Sequence, residues 1–220
     1  MPQENSLSIG RLILIPALIT LAITILRLVG ELLHWSKLFF NPAPGGGFAI
    51  VGISWLPFIF GIYFAIKFAD AGARPASLGK AIGFTLLGLV VYFGGGILFG
   101  MSESGNYALL AVGTVVIIVG SLIPLVGWSK LAKVLIAYGY AARIPVAAVM
   151  IFAMQGSWGT HYDAVPPNFP QMAWLPRWFL LGFIPQMTIW IGFTVIVGSL
   201  LGIAAVAITR RGKRPAPATS

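Results

Sequence analysis

The sequence contains no cysteine, only five acidic residues and only two histidines among 220 residues. The lack of cysteine excludes disulfides, thiolate metal sites and cysteine nucleophiles. Charged residues make up 9% of the chain and hydrophobic residues 58%, whereas an average soluble domain is about 25% charged. This shortage of charge excludes an ordinary soluble domain and indicates a protein whose surface meets lipid.

Long apolar stretches take the place of the missing charge. A transmembrane helix needs about 20 predominantly apolar residues, and the chain has six stretches near that length. We predict one all-α domain, a polytopic integral membrane bundle of six transmembrane helices followed by a basic cytoplasmic tail at 209–220. The predicted spans are residues 12–29, 48–68, 81–100, 107–126, 131–154 and 179–208.

The 14 basic residues predict the orientation because most of them fall in alternate gaps between the spans. One side holds Arg11, Lys67, Arg74, Lys80, Lys130, Lys133, Arg210, Arg211, Lys213 and Arg214. The opposite side holds Arg27, Lys37 and Arg177. Cytoplasmic loops carry the excess of Lys and Arg, so we expect both termini in the cytoplasm and the protein in the plasma (inner) membrane. The loop at 155–178 is then on the outer side.

The net charge of +9 does not predict a nucleic-acid partner, because the bases are scattered over several loops. The one basic cluster, Arg210, Arg211, Lys213 and Arg214, directly follows the last span. A cluster in that position is typical of a segment attracted to anionic headgroups. The expected partners are therefore the lipid bilayer and other membrane subunits or a second copy of the chain.

Arg143 is the one basic residue predicted near the middle of a span. An arginine at the bilayer centre costs about 2.5–3.5 kcal/mol on insertion scales, so it is expected to face the bundle interior or a water-filled cavity. It either links helices through backbone carbonyls and tyrosines such as Tyr138 or Tyr140, or it contacts an anion, a headgroup or a quinone. The sequence leaves both interpretations open.

A second group of polar residues is predicted at the outer face. Arg27, Glu31 and His34 share one stripe of the first helix because they are spaced i, i+4 and i+7. His161 and Asp163 lie in the outer loop. The histidines and carboxylates Glu31, His34, His161 and Asp163 are candidate metal ligands, but their spacing matches no fixed metal motif. The favoured interpretation is that Glu31 pairs with Arg27, and no metal or other cofactor is predicted.

Helix-breaking and small residues are frequent in the predicted spans. Prolines occur in five of the six, at Pro16, Pro57, Pro124, Pro145 and Pro185. Four-residue spacing of small residues, at Gly96 and Gly100 and at Thr194, Gly198 and Gly202, predicts close approach between helices. Broken helices line the binding sites of many transporters, although proline and glycine are also common in membrane helices generally.

Three classes of function are compatible with these patterns, and the sequence carries no recognisable catalytic motif. The first is an accessory or scaffolding subunit of a membrane complex, favoured by the aromatic outer loop and the scarcity of polar residues in the spans. The second is a small transporter or channel for a neutral, anionic or lipid-like solute, favoured by Arg143 and the prolines. The least favoured is a membrane redox or metal-dependent enzyme that uses the outer histidines and carboxylates.

Overall fold

The computed structural model describes residues 8–47, 49–104, 106–167 and 169–211, and in these residues the chain forms helices and no strands. Most of the chain lies in α1 (Ile9–Leu32), α2 (Leu56–Asp70), α3 (Leu78–Gly100), α4 (Tyr107–Leu122), α5 (Pro124–Gly127), α6 (Ser129–Gly156), α7 (Trp174–Arg177), α8 (Ile184–Met187) and α9 (Ile189–Arg211). A π-helical segment, Trp178–Phe183, joins α7 to α8. Lys213 and Arg214 of the predicted anchor lie outside the described residues.

Five helical segments are long and apolar enough to cross a membrane: Ile9–Leu32, Leu78–Gly100, Tyr107–Gly127, Ser129–Gly156 and Trp174–Thr209. Each of them contains one of the predicted spans. The remaining predicted span, at 48–68, becomes helical only at Leu56, and its helix α2 has 15 residues. At 1.5 Å per residue α2 is about 22 Å long, which is shorter than the hydrocarbon core of about 30 Å.

The late start of α2 has a local cause. The N–H groups of Ile50 and Val51 donate to the carbonyls of Leu38 and Phe39, so this stretch bonds to the preceding loop rather than to its own next turn. Pro57 then occupies the first turn of α2, where its missing N–H costs nothing. The apolar residues before Leu56 therefore form a folded loop at one end of the bundle.

Prolines mark several other helix boundaries. Pro124 begins α5 just after α4 ends, and Pro185 lies in the first turn of α8. Pro16 and Pro145 lie inside α1 and α6. The last apolar segment is an interrupted helix. It contains a π-helical part, then Pro185 in α8, and then a non-helical residue at Thr188 (φ −124°) before α9 begins.

The two ends of the bundle are distinguished by which helix termini meet there. At one end, the C-terminal part of α1 and the second half of α6 lie beside the residues before α2 and around α8. A cavity lies between these four parts of the chain. At the opposite end, the Trp128 indole N–H donates to the Ala73 carbonyl at 3.0 Å and joins the α2–α3 loop to the start of α6. The main core lies between these ends, with Phe64, Leu135, Tyr138 and Val195 almost fully buried.

Glycines allow the closest helix contacts, but only some of those predicted do so. A Cβ added to Gly61 would lie 2.4 Å from the Cα of Gly198, and one added to Gly202 would lie 2.8 Å from the Gly61 carbonyl. The predicted pair Gly198 and Gly202 thus forms the α2–α9 contact. Gly96 and Gly100, by contrast, face open space, and their neighbour Gly95 makes the close contact with α4.

Candidate functional site

A cavity of about 210 Å³ lies at the end of the bundle where α1 and α6 terminate. We call it the Arg143 cavity. Its walls come from α1, the loop before α2, α6, the loop after α6, and the interrupted last helix. The polar lining residues are Thr24, Arg27, Ser54, Arg143, His161, Tyr162, Gln186 and Trp190.

Arg143 projects into this cavity from α6 and is 4% exposed. One of its terminal nitrogens (Nη1) donates to the Gln186 side-chain oxygen at 3.3 Å, and its guanidinium carbon lies 4.4 Å from the centre of the Trp190 ring. The Gln186 side-chain N–H in turn donates to the Met150 sulfur at 3.9 Å. The guanidinium carries five N–H groups, and this is its one hydrogen bond within the described part of the chain.

The tyrosines expected near Arg143 do not serve as its partners. The Tyr138 hydroxyl shares a hydrogen bond of 2.8 Å with the Thr20 hydroxyl, and Tyr140 is 40% exposed. The residues that do hold Arg143 come from α8 and the start of α9 instead. Both are contributed by the interrupted part of the last helix.

The charge of Arg143 has no acidic counterpart in the described residues, where no carboxylate oxygen lies within 4.0 Å of its nitrogens. Removing a guanidinium from water without an anion is costly, so buried charges are normally paired. The cation–π contact with Trp190 offsets part of that cost. The cavity is therefore lined by a positive group with a single hydrogen bond and a single cation–π contact among the described residues.

Arg27, Glu31 and His161 form a hydrogen-bonded network at the edge of the same cavity. The Arg27 Nε–H donates to one carboxylate oxygen of Glu31, and the backbone N–H of His161 donates to the other at 2.8 Å. The His161 ring nitrogen Nδ1 lies 2.7 and 2.8 Å from the two oxygens. Glu31 is 2% exposed, so this carboxylate is bound almost entirely by protein donors.

Arg27 also fixes the loop before α2. Its two terminal nitrogens donate to the carbonyls of Val51, Asn41 and Gly46, the latter two at 2.8 and 3.0 Å. Glu31 neutralises its charge. Arg27 is therefore a structural cation of this end of the bundle, whereas Arg143 has no such set of acceptors.

His161 and its neighbour Tyr162 connect the loop after α6 to α1. An ionised carboxylate can only accept hydrogen bonds, so Nδ1 of His161 carries a proton and donates to Glu31. The Tyr162 hydroxyl donates to the Thr24 carbonyl at 3.3 Å. Burial raises the pKa of the Tyr162 phenol above its ordinary value, so this group stays a neutral donor at physiological pH.

The structure brings together two of the four candidate metal ligands. Glu31 and His161 are in contact, as above. His34 is exposed at the end of α1 with a positive φ of 52°, and Asp163 accepts hydrogen bonds of 2.7–2.9 Å from Gly159 and Thr160 in its own turn. Within the described ranges, no group of three or more His, Asp or Glu side chains is placed to hold a metal ion.

Gln186 and Trp190 contact Arg143 but were not among the residues predicted from the sequence. Gln186 is the one amide within the last apolar stretch and directly follows Pro185. A polar side chain beside a proline in a membrane span is a recognisable signal. Trp190 carries no comparable signal, because tryptophan is common in such segments.

The lining of the cavity combines polar and charged side chains with an apolar side. Arg143 and Gln186 offer N–H donors, His161 offers a ring nitrogen, and Val146, Met150 and Leu181 complete the walls.

Compared with models of known protein families, with curated proteins and with solved structures, the chain has no match in any of the three. The case for a function therefore rests on this geometry.

Proposed function

We propose that the chain is a small plasma-membrane transporter that binds an anionic solute in the Arg143 cavity. The observation that carries the proposal is Arg143 itself, a buried guanidinium that lines a cavity and has no acidic partner among the described residues. An anion entering this space completes the hydrogen bonds of the guanidinium and compensates its charge. Charge-assisted hydrogen bonds of this kind are about twice as strong as neutral ones.

The interrupted last helix supports a transport function. Gln186 lies in α8, between the π-helical segment and the break at Thr188, and Pro145 lies two residues after Arg143 in α6. Discontinuous helices beside a binding site are a recurrent feature of secondary transporters, and π-helical insertions are frequent at functional sites. The parts of the chain that hold the ligand are thus also the parts with the weakest regular helical bonding.

The proposed topology has six crossings, with both termini in the cytoplasm and the cavity open to the outer side. It is supported by the excess of Lys and Arg in alternate loops and by the meeting of the α1 and α6 C-termini with the start of α2 at one end of the bundle. In this topology, the folded loop before Leu56 spans the part of the hydrocarbon core that the 15-residue helix α2 is too short to cross.

Reporter fusions provide the test of this topology. We expect a reporter placed after Ala76, or at the C-terminus, to be active in the cytoplasm, and one placed after Asn106 to be active outside. These positions lie in gaps of opposite predicted sidedness. A cytoplasmic signal from the Asn106 fusion would exclude six crossings.

Direct binding to the purified full-length chain tests the anion site. We expect inorganic phosphate or butanoate to bind at one site per chain, and Arg143→Gln to weaken that binding at least thirtyfold, since losing one partner of a buried charge pair costs about 2 kcal/mol or more. Arg177→Gln is the matched control because it removes the same charge from a residue outside the cavity lining. Equal loss in both variants, or no binding to the wild-type chain, would contradict the proposal.

An accessory or scaffolding subunit of a membrane complex remains a second proposal. It is supported by the large apolar side chains that α3 and α4 leave exposed, among them Val90 at 69% and Val115 at 59%. Such a surface suits another membrane subunit as well as lipid. Gentle detergent extraction followed by mass spectrometry distinguishes the two proposals, because a subunit is recovered with stoichiometric partners and a self-contained transporter is recovered alone.

A further inference from the structure

A second cavity of about 230 Å³ adjoins the Arg143 cavity. It lies between the neighbouring ends of α3 and α4 on one side and the outer loop and π-helical segment on the other. Most of its lining is apolar, including Phe99, Leu110, Phe169, Met172 and Leu180. We call it the apolar groove.

The two cavities share a wall. Pro166 and Leu181 line both of them, so the polar space beside Arg143 and the apolar groove are neighbours at these two residues. One space offers the Arg143 guanidinium, which has no acidic partner among the described residues, and the other offers aromatic and aliphatic surface. Together they have the two-part chemistry of an amphiphile.

We infer that the ligand of the Arg143 cavity is a single-chain lipid with an acidic head, whose head binds Arg143 and whose tail occupies the apolar groove. This inference rests on the proposed anion site and names the class of its ligand. The charge of Arg143 selects the acidic head. Because the two cavities adjoin at Pro166 and Leu181, the tail passes these side chains to enter the groove. The exposed flanks of α3 and α4 place the groove beside the bilayer.

The same geometry accounts for the composition of the outer loop. Pro166, Pro167 and Pro170 line the groove, and their rings restrict the backbone φ at these positions. Asp163 closes the turn just before it through hydrogen bonds to Gly159 and Thr160. A stiff apolar cover of this kind is suited to hold an alkyl chain, which offers no hydrogen bonds.

Chain length is the variable that tests the inference. We expect the full-length protein, in nanodiscs of zwitterionic phosphatidylcholine, to bind octanoate at least tenfold more tightly than butanoate, because each methylene removed from water adds about fourfold to the affinity of a tail that enters the groove. Uptake by nanodiscs without protein is subtracted from each measurement. Octyltrimethylammonium, which has a tail one carbon longer and a cationic head, is expected not to bind at the site.

A matched pair of variants locates the tail. Leu110→Trp fills the groove from α4 and is expected to reduce octanoate binding to the level of butanoate while leaving butanoate binding unchanged. Val112→Trp adds the same ring two residues along on the exposed face of α4, where Val112 is 51% exposed, and is expected to leave both unchanged.

The outcomes separate this inference from the anion site itself. If butanoate binds in an Arg143-dependent way but octanoate binds no more tightly, or if Leu110→Trp and Val112→Trp behave alike, the lipid tail is excluded and the anion site stands. If neither acid binds in an Arg143-dependent way, the anion site is excluded and the lipid ligand with it.

Discussion

Replacing Arg27 with leucine is expected to lower the free energy of unfolding by about 3–5 kcal/mol, the usual cost of breaking a buried ion pair from one side. The variant leaves the Glu31 carboxylate buried without its cationic partner. It also removes the donors that bind the carbonyls of Val51, Asn41 and Gly46. The loss is therefore both electrostatic and a release of the loop before α2.

Arg11→Leu is the control for this experiment, since Arg11 belongs to the same helix but is exposed at its other end. Unfolding by a denaturing detergent, followed by circular dichroism, gives the two stabilities. Arg27→Lys is expected to recover only part of the loss, because an ammonium lacks the planar fork that reaches several acceptors at once. Equal stabilities for the Arg27 and Arg11 leucine variants would refute the structural role of the network.

Gly61→Leu is expected to prevent the close packing of α2 against α9, with a loss of about 3 kcal/mol or more. Overpacking a core typically costs 1–3 kcal/mol, and here the added atoms meet backbone rather than a flexible side chain. The first of them, the Cβ, would lie 2.4 Å from the Cα of Gly198 and 2.5 Å from its carbonyl oxygen. The two helices must separate to accept it.

The matched control is Gly94→Leu in α3, where an added Cβ meets nothing within 4 Å. It introduces the same side chain at a helical glycine facing away from the bundle, and we expect no loss of stability. Thermal unfolding of both variants in one detergent is the measurement. A Gly61 variant as stable as the Gly94 variant would mean that the α2–α9 contact is not as close as described.

Local sequence patterns were sufficient to predict the apolar helices but not the start of α2. The stretch before Leu56 is as apolar as a helix interior, and its hydropathy predicts a span from residue 48. Its backbone instead bonds to Leu38 and Phe39, and Arg27 binds the Val51 carbonyl. These are contacts between distant positions, which hydropathy does not encode.

The glycine contacts illustrate the same limit on a smaller scale. Residues 94–96 are all glycine, so α3 presents a small residue on several faces at once. Spacing selects Gly96 and Gly100, whereas the contact with α4 is made by Gly95, whose added Cβ would lie 2.6 Å from the Ile117 nitrogen. The rotation of α3 about its axis depends on its neighbours and cannot be read from the spacing.

The candidate site was predictable in part. Intramembrane charge singles out Arg143, and i, i+4 spacing predicts the Arg27–Glu31 pair that the structure contains. The contact of His161 with Glu31 spans 130 positions, and the contact of Arg143 with Gln186 spans 43. Neither of these follows from local sequence, because each depends on how the last helix and the loop after α6 fold over the bundle.

The central claim, that the Arg143 cavity binds an anion, is tested most directly by locating one there. Crystals of the full-length chain containing selenate would be measured at the selenium absorption edge. We predict an anomalous peak about 4 Å from the Arg143 guanidinium nitrogens, since selenium lies one Se–O bond beyond the oxygen that accepts a charge-assisted hydrogen bond, and its loss in Arg143→Gln. Peaks confined to exposed bases such as Lys130, with none beside Arg143, would contradict it.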